Sequence, residues 1–164
     1  RATGQTGIMI AGEGIPIDAV VADFISGAAE LLSPDNDPDH WDIIEGQGSI
    51  FHPGYSGVSL GLLHGSQPDG FVVCHDPLRQ TVSGWEHYAL PSLQECIDTH
   101  VMMGRRTNPG IRCVGITVNS SALPAGERGA WLLGLARETG LPCCDPVRDG
   151  CGVIVDYIRA VFEV

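Results

Sequence analysis

The chain has 164 residues, 43% apolar and 18% charged, which is enough to bury a core without disulfides or metal and is read as one domain. Twenty acidic and nine basic residues leave a net charge of −11, which disfavours nucleic acid and anionic membrane as partners. All nine basic residues are arginines, so a Schiff base, a pyridoxal anchor and a P-loop lysine are excluded within this chain.

No apolar run reaches the ~18 residues of a membrane helix. The opening Arg1-Ala2-Thr3-Gly4 has no initiator Met and no signal-like apolar stretch, and reads as the middle of something longer. A first helix is expected from about Pro16 to Leu32, with Val20, Val21, Phe24, Ile25, Ala28 and Leu32 at helical spacing. Ser33 to Pro38 stops it. Asp42–Glu45 reads as a short buried strand that ends in the Gly46-Gln47-Gly48 turn. Val58–His64 is a short helix, and Gly70–His75 a second buried strand. Ser92-Leu93-Gln94-Glu95 is a capping box that opens another helix. Ile111–Val118 is a third strand, Ala125–Thr139 a helix capped by Gly140, Leu141–Pro146 a short extended piece and Gly150–Phe162 the last helix. This alternation predicts an α/β fold: three layers, a mostly parallel sheet and helices on both faces.

Of six cysteines, Cys74, Cys96 and Cys113 fall in apolar-periodic segments and read as small buried thiols of a reducing cytoplasm, while Cys143, Cys144 and Cys151 contain no Cys-x-x-Cys pair and do not read as a zinc site.

Ligands of open parallel sheets bind beyond the carboxyl ends of the strands. Those ends are polar here: Glu45-Gly46-Gln47-Gly48, His75-Asp76-Pro77-Leu78-Arg79 and Asn119-Ser120-Ser121, with Thr3-Gly4-Gln5-Thr6-Gly7 a loop on the same rim if Arg1-Ala2 finish a strand. Glu45 is a candidate base or Mg²⁺ ligand, or else a carboxylate that caps a helix or pairs with arginine. Gly46 and Gly48 permit close backbone approach to a ligand. His52 and His75 are candidate general bases. Arg79 is a candidate clamp for a carboxylate or phosphate. Asn119 can read a base or amide edge. His40, His64, His87 and His100 read as surface or core.

Asp42-Ile43-Ile44-Glu45-Gly46-Gln47-Gly48 resembles the strand-plus-Glu-Gly element of the dethiobiotin-synthetase-like P-loop proteins, and Val114–Asn119 resembles their strand ending in a base-reading Asn. The stretch Ala2–Ile10, Gly12–Asp18, Glu45–Ser49 with His52-Pro53, and His75-Asp76-Pro77 resemble a narrower family. That family was long catalogued as a domain of unknown function and is typified by the D-glutamate N-acetyltransferase of bacterial and archaeal D-glutamate catabolism. The resemblance covers nearly the whole chain. It implies a P-loop NTPase-like fold and acetyl transfer from acetyl-CoA to D-glutamate or a related amino acid. Glu45, His52 or His75 would then be the base, and Arg79 the carboxylate clamp. Thr3, Gly4, Gln5, Thr6, Gly7 and Gln47 would contact substrate, and Gly46, Gly48 and Asn119 the cofactor. An ATP- and Mg²⁺-dependent ligase or kinase acting on a small carboxylate, with Glu45 at the metal, is a second reading; a non-catalytic nucleotide- or CoA-binding module is a third. The family's N-terminal Rossmann-like domain and Walker-A-like loop have no counterpart here, so the chain is expected to be the C-terminal part of a P-loop-like domain. It is expected to need the missing portion, or a homo-oligomer, to cover the gap.

Overall fold

β-Branched runs become strands only where a neighbour completes the hydrogen-bond ladder, and this separates the expected strands into two groups. The computed structural model describes residues 5–163. In chain order the elements are α1 (Gln5–Ala11), α2 (Ile25–Leu32), α3 (Ser56–Ser66), β1 (Gly70–His75), β2 (Thr81–Val82), β3 (Trp85–Ala89), α4 (Leu93–Gly104), β4 (Arg112–Val118), α5 (Arg128–Thr139), β5 (Cys143–Cys144) and α6 (Gly152–Phe162). They divide into two compact units. One holds the chain up to Pro68 together with Met102–Pro109; the other holds Asp69–Val101 and the chain from Gly110 onward.

The second unit is built on a parallel sheet of order β1-β4-β5. Val73, Cys113, Ile116 and Val118 pack on one face against Ile97 of α4 and Leu132 and Leu135 of α5. Ile116 and Val118 are fully buried, each contributing about 1.5–3 kcal/mol. The opposite face meets α6: a Cβ on Gly115 would lie 2.9 Å from Ile154 Cγ1, so only glycine lets that helix approach. The fold is therefore three-layer α/β with a parallel central sheet. Phe71 pairs with Cys113 but Val72 pairs with Gly115, so β4 carries one extra residue, Val114. That two-against-one count puts Cys113 and Ile116, three apart, in the same core. At α4 the Ser92 half of the capping box forms, its Oγ accepting the Glu95 N–H at 3.1 Å. Gly140 closes α5, its N–H donating to the Ala136 carbonyl. Leu141–Pro146 contributes β5, as its extended pattern predicts. The antiparallel β2–β3 hairpin was not anticipated; its first strand is too short for an alternation to register.

The first unit departs further from expectation. The helix expected over 16–32 breaks into 3-10 turns at Ile17–Ala19 and Ala22–Phe24, followed by α2. Val20 and Val21 stand extended between them, with ψ of 139° and 138°. Adjacent β-branched residues are weak helix formers, and the break buries Ile17 completely while Val21 and Phe24 face outward. Ile17, Ile25, Ala28, Ala29 and Leu62 form this unit's core. There α3 presses against α2 through Gly61 and Gly65. The strand expected at 42–45 does not form. Among the described residues no strand offers it a ladder, and Ile43 is 89% exposed. Among the described residues no helix is long and apolar enough to cross a membrane.

Candidate functional site

The carboxyl ends of β1, β4 and β5 lie side by side in the second unit, and three polar turns grow from them. His75 closes β1 opposite Val118, and Thr117 stands opposite Cys144. The Asn119 N–H donates to the His75 carbonyl at 2.9 Å, tying the β4 turn to the β1 end. Asn119 is exposed between two buried neighbours, Val118 and Ser120, and its Oδ1 accepts the Ser121 N–H at 3.3 Å. The His75 ring lies nearly parallel to Trp131, centroids 6.1 Å apart. Burial pushes its pKa below the ordinary 6.5, against the opposing pull of Asp76. At neutral pH it is a neutral imidazole able to take a proton. Asp76 shapes the next turn: its Oδ1 accepts the Leu78 N–H at 3.1 Å, and its carbonyl accepts the Arg79 N–H at 3.2 Å. Arg79 is exposed beyond that turn.

The third turn belongs to Asp145, which follows a strand of only two residues and so does not register in the sequence as a strand end. Asp145 is 3% exposed and Ser120 is 1% exposed. The Ser120 hydroxyl donates a short bond to Asp145 Oδ2, and the Ser120 N–H donates to the same oxygen at 3.3 Å. Oδ1 accepts the Val147 and Arg148 N–H groups at 3.0 and 3.1 Å. The Ser120 hydroxyl, with those backbone donors, holds the carboxyl below the usual carboxylate range in spite of burial. Arg128 closes the far end of the loop with a two-pronged pair to Asp149, one prong at 2.9 Å.

In the first unit, Glu45, Gly46, Gln47 and Gly48 are exposed on an irregular segment. Gly48 is fixed: its carbonyl accepts a short bond from Ser59 of α3, and the Tyr55 ring lies 3.5 Å from where a Cβ would stand. His52 stacks on Tyr55 at 4.3 Å, and its Nδ1 accepts the Gly54 N–H at 3.0 Å. The Nδ1 lone pair of His52 is thus engaged by backbone. Thr3 and Gly4 lie outside the described residues. Gln5, Thr6 and Gly7, expected in a loop, begin α1 instead. The structure thus joins His75 with Asn119 in one unit and Gly48 with His52 in the other.

Among the described residues no three Asp, Glu, His or Cys side chains gather as a metal site. A Mg²⁺ at Glu45 would complete its shell from phosphates and water. A groove of about 330 Å³ in the first unit is lined by Asp35, Asp37 and Asp42 and is ill suited to an anion. Burial pushes the thiols of Cys96 and Cys144 up to about 11, so neither is a thiolate nucleophile at neutral pH. His64 Nε2 lies 3.1 Å from the Met103 carbonyl and His100 Nδ1 2.7 Å from that of Cys96, as suits structural histidines.

The family described as "Domain of unknown function (DUF1611_C) P-loop domain" matches residues 1–155. A D-glutamate N-acetyltransferase of Tritonibacter scottomollicae is 50% identical over 161 residues, covering 98% of this chain and 48% of that protein. A second protein of that name, from Pseudoalteromonas sp., is 52% identical over 155 residues, covering 94% and 47%. The chain spans about half the length of these curated relatives. The crystal structure of a DUF1611 family protein from Anabaena variabilis ATCC 29413 superposes with a TM-score of 0.84 at 36% identity, over 96% of this chain and 47% of that one.

Proposed function

The chain belongs to the DUF1611 family, as its C-terminal P-loop domain, and from that premise we propose that the whole protein transfers acetyl from acetyl-CoA to the amino group of D-glutamate. The observation that carries this reading is 50% identity, over nearly the entire chain, to a protein named for that activity. In the reaction the amine nitrogen attacks the thioester carbonyl, a C–N bond forms, the C–S bond breaks, and the ammonium proton must leave before attack. A neutral imidazole suits that last task, which supports His75 over His52 as the base. Glu45 is the other carrier of a lone pair in the set. Arg79 is the clamp for the substrate carboxylates, and the Asn119 amide meets the adenine of CoA. Within the first unit, Gln47 and the Thr3–Gly7 stretch are the candidates for substrate contact and Gly46 and Gly48 for cofactor contact. Polypeptide outside this chain supplies the phosphate cradle, since no lysine is present here. The protein is cytoplasmic and works as a homo-oligomer.

The P-loop description of the family also fits an ATP- and Mg²⁺-dependent ligase or kinase acting on a small carboxylate. One assay separates the two. The intact protein with acetyl-CoA and D-glutamate should release free thiol without ATP. Strict dependence on ATP and Mg²⁺, with phosphate release, would sink the acetyltransferase. Ligand binding without turnover of any amino acid would leave a binding module.

A further inference from the structure

We propose that Asp145 is a positioning residue: it clips the Asn119–Ser121 turn to the end of β5 and so holds the Asn119 amide toward the adenine of CoA. The proposal rests on the acetyl-CoA reading above. Asp145 is the most buried carboxylate among the described residues. A buried charge is costly unless its oxygens are hydrogen-bonded. Here both are: Oδ2 by the hydroxyl and N–H of Ser120, Oδ1 by the N–H groups of Val147 and Arg148, with Arg148 Nε 3.8 Å from Oδ2. The clip therefore joins the β4 turn to the β5 turn through a side chain that sees almost no water. It grips the chain one residue from Asn119, whose own N–H is bound to the β1 end at His75. The exposed amide is thus held from both sides, on adjacent strand ends. A carboxylate placed only to stabilise the fold has no need to grip the neighbour of the one exposed amide on that turn.

The test compares Ser120→Ala and Asp145→Asn in the intact protein with Ile116→Val, a core substitution that lowers stability without touching the turn. Positioning predicts that both turn variants raise KM for acetyl-CoA about tenfold, with kcat and KM for D-glutamate changing less than about twofold. Ile116→Val should leave both KM values unchanged at a comparable loss of Tm. Should Asp145→Asn fail to fold, Ser120→Ala, which leaves three backbone donors on the carboxylate, decides alone. Equal rises in both KM values, or no rise in either, would overturn the clip. Equilibrium dialysis with CoA needs no turnover and separates the two claims. CoA binding that Ser120→Ala weakens, in a protein that transfers no acetyl, supports the clip and removes the acetyltransferase reading. CoA binding and transfer indifferent to Ser120→Ala remove the clip alone. No CoA binding by the wild type removes both.

Discussion

His75 owes its chemistry to half-burial beside Trp131. A histidine whose pKa falls on folding favours the native state while it is neutral. Above about 6.5 neither state is charged. As pH drops below that, the unfolded chain takes the proton first, and stability drains until the pH passes the lower folded value. Between pH 7.5 and 5, Tm of the wild type should therefore fall more steeply than that of His75→Gln. Parallel curves by calorimetry would show that His75 is not depressed. At this scale the sequence was partly legible. His75 and Asn119 declare themselves as polar residues ending apolar runs, and the structure ties them together. Asp145 does not, because Cys143-Cys144 is too short to mark a strand end. Glu45 was read from an apolar run whose ladder partner the described chain does not supply.

Between elements, the closest packing in the first unit is α3 on α2. A Cβ on Gly65 would lie 2.1 Å from the Ser26 carbonyl oxygen, and one on Gly61 would lie 2.3 Å from Ile25 Cγ2. The carbonyl cannot rotate aside without breaking backbone geometry, so Gly65→Ala should cost about 1–3 kcal/mol and lower Tm by several degrees. An unchanged Tm would mean the helices can separate freely. Helices with a clear start or stop signal were legible: Ser92 opens α4 and Gly140 closes α5. The helix expected over 16–32 was not, because periodicity counts apolar residues without weighing two adjacent valines against the backbone. The β2–β3 hairpin was missed for want of length.

At the scale of the molecule, the dominant fact is a charge of −11 without a single lysine. Twenty acidic side chains face nine arginines, two of which, Arg128 and Arg148, pair with Asp149 and Asp145, so carboxylates in excess of the arginines repel one another across solvent. Screening shortens their reach from about 10 Å at 0.1 M salt to about 3 Å at 1 M. Tm of this chain should rise over that range by about 2–4 °C, as about 1 kcal/mol of repulsion is removed. A falling Tm by thermal scan would show that attraction, not repulsion, dominates the surface. Fold class was legible because the alternation of strands and helices survives in the second unit; the division into two compact units was not, since composition alone carries no boundary.

The extra residue at Val114 sets β4 out of phase with itself. Deleting it would restore one-for-one pairing with β1 and leave Val118 in the core and Ser120 aimed at β5, whereas the loss of any single residue between Gly115 and Val118 would turn every later side chain to the other face. The site's aim thus tolerates a change of length at the bulge and nowhere after it, so relatives that lack one residue at Val114 should still hold the same turn.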